Sequence, residues 1–361
     1  MLKPEMQRSL PTTAGTSSSG PGETSEKRPK VRINIARFWT GASADDIVKT
    51  VLPDLEPYFE FKISDSPQVL LYGPYAGAMP KGQFVKVFIG CENVRPIMRE
   101  CDWAFGVEHE DHVRHPRYMR IARWGNDSHL IQKERNWSDL LKAKTRFCAF
   151  LYANRLPYRE AFFTALSRYK RIDSPGRSMN NMPSIDPQPG LPDWNAKIAF
   201  LRDYKFVIAF ESGTRAGYNT EKLTHAIEAD CLPIYWGDPE IGRSFNVRRF
   251  VNARDYVPKP RNFLPRLPYR PHSIRNGTEP TFLQRAARRI NGTASDIEQR
   301  AWAWAGFDAL IRRIIEIDRD DDLYLKHLRE PFLIDNKPPD RSRWIARWRQ
   351  IFERSLAGSP L

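Results

Sequence analysis

The segment YKFVIAFESGTRAGYNTEKLTHAIEADCLPIYWG, from Tyr204 to Gly237, decides the fold. KFVIAF at 205–210 is an apolar run of the length and composition typical of a buried strand. A polar loop leads to EKLTHAIEA at 221–229, which has a helical pattern, and LPIYWG at 232–237 is a second apolar run. Strand, helix and strand in this order predict a parallel sheet with a right-handed crossover.

The same alternation covers most of the chain. Short runs rich in Val, Ile and Phe predict further strands, which are VRINIARFW from Val31, FEFKIS at 59–64, VLLYG at 69–73, KVFIG at 86–90, WAFGV at 103–107, MRIAR at 119–123, FCAFLY at 147–152 and FVNA at 250–253. The predicted helices are ADDIVKTVL at 44–52, YREAFFTALSRY at 158–169 and a series from Ser295 to Leu328, which follows an irregular Pro- and Arg-rich segment at 255–292. Two successive α/β series predict two facing, doubly wound Rossmann-like domains, with a ligand between them at the carboxyl ends of the strands.

Composition sets the outer boundaries of these domains. Residues 1–29 are rich in Ser, Thr, Gly and Pro and cannot bury enough apolar surface to fold, so we expect them to be disordered. The predicted domains are an N-terminal α/β domain at 30–143 and a C-terminal α/β domain at 144–336. The basic tail at 337–361 contains apolar residues at helical spacing among arginines. It predicts an amphipathic helix that either binds an anionic membrane surface through 341–356 or packs on the body of the protein.

Charge and cysteine content restrict the partners and the compartment. The 57 Lys and Arg residues exceed the 43 Asp and Glu residues, and the net charge of +14 favours anionic partners such as nucleotides. The four cysteines have no CxxC spacing, so free thiols are expected rather than disulfides or a metal site. No apolar run approaches the ~18–20 residues of a membrane-spanning helix. We therefore expect a cytoplasmic protein, peripheral at the inner face of the membrane if the tail binds there.

The helix start within the deciding segment has the chemistry of an anion site. Thr220 is a predicted N-cap, and the amide groups and partial positive charge of a helix start hold anions. Lys222, in the first turn, opposes the helix dipole, and a nearby phosphate would explain its position. An ordinary solvated helix start explains the same residues equally well.

The same residues carry a family resemblance. FESGTRAGYNTEKL, from Phe210, resembles the signature of the bacterial-type α1,3/4-fucosyltransferases, and PIYWG at 233–237 also fits. Similarity extends over most of residues 31–335 and includes VFIGCENVRP at 87–96, FCAFLYANRLPYREAFFTAL at 147–166, DSPGRSMNNM at 173–182 and DDDLYLKHLREP at 320–331. The resemblance implies a GT-B fold and metal-independent, inverting transfer of fucose from GDP-fucose to a GlcNAc-containing oligosaccharide.

The resemblance also implies roles, position by position. It places the catalytic base on Glu92, which would take the proton of the attacking sugar hydroxyl. The alternative for this glutamate is a surface or ion-paired residue that follows a strand. On the donor side the resemblance places Arg159 and Lys222 on the diphosphate, with Tyr218 beside it. Glu221 is placed on the ribose hydroxyls or another polar part of the donor.

Further donor-side positions are less strictly matched. Arg159 requires a one-residue gap, so Arg155 competes for the diphosphate. Gly176, Arg177 and Ser178 could present backbone amides to phosphate; they are residues 176–178 of the Gly-containing loop. Ser212 stands where bacterial relatives often have Asn after the Phe-Glu pair, and Gly213 follows it. A donor contact from the shorter Ser212 side chain would be weaker or water-mediated.

Metal chemistry and other functions remain alternatives. His109, His112 and His115 are spaced by three, which would place them on one face of a helix, but the resemblance requires no metal or other cofactor. The acidic cluster at 318–322 suits a helix start. A GT-B enzyme with another nucleotide-sugar donor is the second hypothesis, and a non-enzymatic basic polyanion-binding protein is the third. No nucleic-acid module is recognised, and the acceptor is left open, with O3 of GlcNAc as the default.

Overall fold

The strands and helices follow the predicted alternation. The structure, a computed structural model, describes residues 28–39, 43–90, 92–121, 127–186, 194–257, 282–304 and 306–358. Its strands are β1 (Lys30–Ala36), β2 (Glu60–Ile63), β3 (Val69–Tyr72), β4 (Val85–Ile89), β5 (Trp103–Gly106), β6 (Tyr118–Arg120), β7 (Arg146–Ala149), β8 (Ile172–Asp173), β9 (Tyr204–Phe210), β10 (Leu232–Trp236) and β11 (Val251–Asn252). Its helices are α1 (Ala44–Val51), α2 (Glu110–Val113), α3 (Trp137–Ala143), α4 (Pro157–Leu166), α5 (Trp194–Leu201), α6 (Glu221–Glu228), α7 (Phe282–Trp304), α8 (Asp308–Arg319), α9 (Asp321–Arg329) and α10 (Ser342–Leu356).

The strands form two separate sheets, and neighbouring strands run parallel in both. The N-terminal sheet has the order β2-β1-β3-β4-β5-β6, and the C-terminal sheet has the order β11-β10-β9-β7-β8. The strand order therefore reverses between β1 and β3 in the first sheet and between β7 and β9 in the second. Ligands of such sheets bind at the carboxyl ends of the strands beside this reversal. The doubly wound α/β fold predicted from the sequence is confirmed.

Each sheet has its own apolar core, and we call the two halves the N-terminal lobe, around β1–β6, and the C-terminal lobe, around β7–β11. All residues of β3 are buried, as expected for a parallel strand covered on both faces. In the second sheet β9 is similarly enclosed. Residues of α3 also pack against the core of the C-terminal lobe. The predicted domain division near residue 143, just after this helix, stays a prediction.

The last helix returns to the N-terminal lobe. Trp348 of α10 is fully buried and stacks on Phe105 of β5, with ring centroids 4.4 Å apart. Phe352 packs edge-on against Phe59, with ring centroids 5.2 Å apart. Because the N-terminal core covers this apolar face, the interpretation in which it inserts into a membrane surface through 341–356 is wrong. The alternative, packing on the body of the protein, is what the structure contains.

Arginines of the tail also contribute to this packing. The guanidinium carbon of Arg347 lies 4.7 Å from the ring centroid of Trp103, and that of Arg349 lies 4.8 Å from the centroid of Tyr58. Arg341 donates from Nε to Asp54 at 2.5 Å. Part of the cationic character attributed to a membrane-facing surface is therefore used to hold α10 on the lobe.

Other predictions differ in detail. The segment 255–292 was expected to be irregular, but α7 begins at Phe282, and residues 258–281 lie outside the described part of the chain. The predicted disorder at 1–29 falls almost wholly on residues 1–27, which the structure does not describe either. Cys101, Cys148 and Cys231 are buried free thiols, as expected, whereas Cys91 is not described. In the described ranges, no helix is both long and apolar enough to cross a membrane.

Candidate active site

Four of the donor-side residues, Ser212, Tyr218, Glu221 and Lys222, follow the carboxyl end of β9, beside the strand-order reversal of the C-terminal sheet. Glu211, the first residue after the strand, is fully buried. It accepts a hydrogen bond from the Thr220 amide at 2.7 Å, and the Thr220 hydroxyl lies within 3.0 Å of both carboxylate oxygens. Thr220 caps α6, as predicted, because its hydroxyl accepts from the backbone amide of Lys222. Glu211 thereby joins the two ends of the polar loop and fixes the start of α6.

Lys222 is held between two carboxylates. Its Nζ lies 3.5 Å from an oxygen of Glu211 and 3.5 Å from an oxygen of Glu221, and it donates to the Thr220 hydroxyl at 2.9 Å. Burial raises the pKa of Glu211, and the Lys222 charge opposes that rise. At Glu221, burial also acts to raise the pKa, but Lys222 and nearby groups outweigh it and lower the pKa. The lysine in the first turn therefore has a local partner, Glu211, that the sequence did not reveal.

Tyr218 is buried, and carboxylates of both lobes affect its pKa. Its hydroxyl is 3.3 Å from Oγ of Ser212. Burial raises the pKa of Tyr218 to about 12, and the negative charges of Glu211, Glu92 and Glu221 act in the same direction. Glu92 belongs to the N-terminal lobe, so Tyr218 lies within range of charges from both lobes. Because its pKa is raised, this buried tyrosine stays protonated at neutral pH and can donate a hydrogen bond.

The two competing arginines have opposite surroundings. Arg159 is only 2% exposed, and its guanidinium carbon lies 4.2 Å from the ring centroid of Tyr152. Its Nε and Nη2 have no hydrogen-bond partner among the described residues. Arg155 is 77% exposed and bonds to Glu160 at 2.7 and 3.1 Å. A buried cation with two donor nitrogens that lack acceptors is costly unless an anion binds there, which favours Arg159 as the diphosphate contact.

The loop after β8 packs beside this arginine. A Cβ at Gly176 would overlap the carbonyl oxygen of Tyr152, so only glycine allows this approach. The Ser178 amide donates to the same carbonyl oxygen at 3.0 Å, and the Ser178 hydroxyl donates to Glu160 at 3.0 Å. The side chain of Arg177 is exposed. The predicted phosphate loop therefore contacts the backbone of Tyr152, whose ring stacks on Arg159. Because the Ser178 amide is already bonded to Tyr152, the expectation that it faces a phosphate is wrong, whereas the phosphate contacts of Gly176 and Arg177 stay predictions.

The candidate base lies on the opposite lobe. Glu92, which follows β4, is half-buried. Tyr75, from the loop after β3, donates a hydrogen bond from its hydroxyl to Glu92 Oε1 at 2.7 Å. Both loops leave the same edge of a parallel sheet, which explains why they are neighbours. Tyr75 was not among the candidate residues, since a tyrosine in the Gly- and Pro-containing loop GPYAG has no distinctive spacing.

A contact across the cleft joins the two sides. Arg215, in the polar loop of the C-terminal lobe, donates from Nε to Oδ1 of Asn93 at 2.6 Å. Its Nη1 lies 3.5 Å from a carboxylate oxygen of Glu108 in the N-terminal lobe. Asn93 directly follows Glu92. The residue after the candidate base therefore contacts the loop that carries Ser212 and Tyr218, and the catalytic and donor-binding roles of these residues stay predictions.

Two of the histidines singled out for metal binding lie near a glutamate of the opposite lobe. The helix that starts after His109 ends at Val113 with Arg114 in the left-handed conformation, so His115 is not on a shared helical face, and that expectation is wrong. His112 lies 3.1 Å and His109 lies 3.9 Å from Glu240 of the opposite lobe. Within the described ranges, no three His, Cys, Asp or Glu side chains are grouped as metal ligands.

The acidic cluster before α9 is a helix start, as predicted. Asp320 is the N-cap of α9 and accepts a hydrogen bond from the Leu323 amide at 2.9 Å. Asp318 is buried, and Lys170 and Lys205 lie 2.5 and 3.5 Å from its carboxylate. These carboxylates therefore have structural partners away from the cleft.

Two family models match this chain. The model described as "Alpha-(1,3)-fucosyltransferase FucT N-terminal domain" matches residues 33–125. The model described as "Glycosyltransferase family 10 (fucosyltransferase) C-term" matches residues 118–268. The chain belongs to glycosyltransferase family 10, the fucosyltransferases. Every candidate site residue of this family 10 chain lies within the matched ranges.

Individual relatives agree with this family 10 membership. The "Alpha-(1,3)-fucosyltransferase FucT" of Helicobacter pylori is 26% identical over 64% of this chain and 55% of its own length. The bovine "GDP-fucose protein O-fucosyltransferase 3" is 34% identical over 23% of this chain and 18% of its own length. The chain thus spans about half or less of these relatives. A solved structure described as an alpha1,3-fucosyltransferase with GDP-fucose has the same fold, with a TM-score of 0.61, 20% identity and coverage of 93% of this chain and 94% of that one.

Proposed function

We propose that this chain transfers L-fucose from GDP-fucose to a sugar hydroxyl, with inversion at the anomeric carbon. The acceptor atom we propose is O3 of GlcNAc in an oligosaccharide. Family membership supports fucosyl transfer, and the fold shared with a protein crystallised with GDP-fucose supports this donor. The observation that carries the proposal is the contact between the lobes, where Arg215, on the loop that carries Ser212 and Tyr218, donates to Asn93, the residue after Glu92.

The reaction we propose is a single displacement. The acceptor oxygen forms a bond to C1 of fucose while the bond from C1 to the phosphate oxygen breaks, and GDP leaves with that electron pair. The acceptor proton passes to the carboxylate of Glu92, whose Oε1 accepts a hydrogen bond from Tyr75. One carboxylate opposite the leaving group gives inversion, whereas retention through a covalent sugar would need a second carboxylate as the nucleophile.

The leaving diphosphate needs positive charge, and in this proposal the protein supplies it. Arg159 and Lys222 stabilise the charge that develops on GDP, because cations fixed before the reaction need no reorganisation during it. Tyr218 donates beside the diphosphate, Glu221 accepts from the ribose hydroxyls, and Ser212 lies next to Tyr218. The backbone of residues 176–177 offers further amides. Full transfer activity in excess EDTA would support this arrangement, and a loss that Mg²⁺ or Mn²⁺ restores would contradict it.

A donor and acceptor panel tests the function. The purified chain is incubated with GDP-fucose, and in parallel with UDP-galactose and UDP-GlcNAc, against N-acetyllactosamine, a chitin trisaccharide and an N-glycan core glycopeptide. We expect a fucosylated product from GDP-fucose alone, with the linkage at O3 of GlcNAc by NMR. Preferential transfer from a UDP-sugar would favour the second hypothesis. Steeply salt-dependent binding to nucleic acid without any transfer would favour the polyanion-binding hypothesis.

A further inference from the structure

Two loops from opposite lobes touch each other. The donor loop, residues 211–220, carries Ser212 and Tyr218, and the base loop, residues 92–95, carries Glu92. Their direct link is the hydrogen bond from Arg215 Nε to Asn93 Oδ1, at 2.6 Å. Arg215 thus contacts the residue that directly follows the candidate base.

Glycines allow the donor loop to approach this closely. A Cβ at Gly213 would overlap the side-chain amide nitrogen of Asn93, whose Oδ1 is the acceptor for Arg215. Gly217 has a φ of +84°, and a Cβ there would overlap the carbonyl oxygen of Val107. The donor loop is therefore shaped to rest on the N-terminal lobe on both sides of Arg215.

The base loop has a second anchor within its own lobe. Arg95 donates from Nε to Oε2 of Glu108 at 2.8 Å and from Nη2 to Oε1. The hydrogen bond from Arg95 and the charge of Arg215 both act to lower the pKa of this buried carboxyl. Glu108 thus interacts with Arg95 of the base loop and with Arg215 of the donor loop. The base loop is therefore held at Asn93 by Arg215 and at Arg95 by Glu108.

We propose that Arg215 is a positioning residue, which sets the place of Glu92 through Asn93 and makes the alignment of the base depend on the donor loop. The inference rests on the proposed function. Ser212 and Tyr218 are candidate donor contacts on the same loop, so a bound donor holds the loop that holds Asn93. Small displacements of a base are costly, since about 1 Å can reduce the rate by roughly 100-fold.

The test compares Arg215→Ala, Arg215→Lys, Asn93→Ala and the double variant Arg215→Ala/Asn93→Ala. GDP affinity is measured by calorimetry, and kcat and KM are measured as GDP release from GDP-fucose, with N-acetyllactosamine or with water alone as acceptor. For Arg215→Ala we expect kcat to fall about 10- to 100-fold while the Kd of GDP changes less than about twofold. The lysine variant should recover part of this loss. The double variant should be no slower than the worse single variant, because the two residues act through one contact.

Two further variants separate positioning from folding. In Gly213→Ala the new Cβ would overlap the side-chain amide nitrogen of Asn93, so the variant displaces Asn93 while Arg215 is kept. We expect it to lower kcat without weakening GDP binding. The matched control is Arg243→Ala, which removes another ion pair between the lobes, 3.1 Å from Asp111, and should leave kcat unchanged. Melting curves identify any variant that fails to fold.

Three results would overturn the inference. They are an unchanged kcat in Arg215→Ala, a loss of kcat matched by an equal loss of GDP affinity, and additive effects in the double variant. If the wild-type protein releases no GDP from GDP-fucose with either acceptor, the proposed function itself fails, and the positioning role fails with it.

Discussion

The two sides of the cleft are built differently. On the donor side, a buried carboxylate, a capped helix and a buried arginine belong to one lobe, and Glu211 holds both Thr220 and Lys222 in place. On the base side, Glu92 is held by Tyr75 of its own lobe and, through its neighbour Asn93, by an arginine of the other lobe. In the proposed mechanism, the contacts to the nucleotide are therefore preorganised within one lobe, whereas the proposed base is aligned where both lobes meet.

The largest expected effect separates chemistry from donor binding. Glu92→Gln keeps the shape of the side chain but cannot take a proton, so we expect kcat for transfer to fall by roughly 10²- to 10⁴-fold. The Kd of GDP should stay within about twofold of the wild-type value, since the donor side lies on the other lobe. Steady-state kinetics and calorimetry measure both. Near-normal turnover would remove Glu92 from the role of base.

The second prediction concerns α10, the helix of the tail, which packs on the N-terminal lobe. Trp348→Ala removes a fully buried ring that stacks on Phe105, and we expect a loss of about 3–5 kcal/mol of unfolding free energy. Chemical denaturation measures this loss. Stability close to that of the wild-type protein, together with lost binding to anionic vesicles, would return the tail to a membrane-surface role.

The third prediction decides between two arginines. Arg159→Ala should weaken GDP binding by about 10- to 100-fold, because charge-assisted hydrogen bonds are worth about 1.5–3 kcal/mol. Arg155→Ala, the matched control four residues earlier, should change the affinity less than about twofold, since its side chain is exposed and paired with Glu160. Calorimetry with GDP gives both values. The reverse order would assign the diphosphate to Arg155.

The fourth prediction concerns how the free energy of unfolding depends on pH through His109, which lies between the lobes. Burial lowers the pKa of His109 from 6.5 to about 4, and the charges of Arg120 and Arg243 act in the same direction, against Glu240 and Asp111. A depressed pKa in the folded state means that the stability is present above pH 6.5 and is lost as the pH falls towards 4. His109→Gln should reduce this loss by about 1–3 kcal/mol.

Urea unfolding of the wild-type protein and of His109→Gln, at pH 7 and at pH 4.5, measures the difference. Parallel pH profiles in the two proteins would show that His109 is not the responsible group. His112, which lies 3.1 Å from Glu240, provides the neighbouring control as His112→Gln.

The smallest expected effect sharpens the base side. Tyr75→Phe removes one hydrogen bond to Glu92, so we expect kcat to fall about fivefold, corresponding to about 1 kcal/mol. The KM of GDP-fucose should not change. A rise in that KM with an unchanged kcat would place Tyr75 on the donor instead.

Local patterns predicted the strands well, because apolar runs of this length record burial directly. VLLYG contains β3, and KFVIAF covers all of β9 except its first residue, Tyr204. Thr220 was identified as an N-cap because capping depends on neighbouring residues. The residues of the cleft that were missed act over long separations. Asn93 and Arg215 are 122 positions apart, and no spacing rule connects them.

The tail illustrates a second limit of sequence patterns. Its periodicity correctly predicted a helix with an apolar face, which α10 has. Periodicity gives the direction of that face but not the surface that covers it. The sequence therefore could not decide between a membrane and the protein body, whereas the structure places Trp348 against Phe105. Likewise, the sequence could not reveal that Lys222 has a buried partner in Glu211, since the two meet only when the donor loop closes on itself.

The central claim is one displacement, in which a single carboxylate takes the acceptor proton as GDP departs. Proton NMR of the first product formed from GDP-β-L-fucose and N-acetyllactosamine tests it most directly. We expect an α-linked fucose from the earliest time point, with GDP released in equal amount. A β-linked product, or a fucose covalently attached to the protein before the acceptor is added, would contradict the claim.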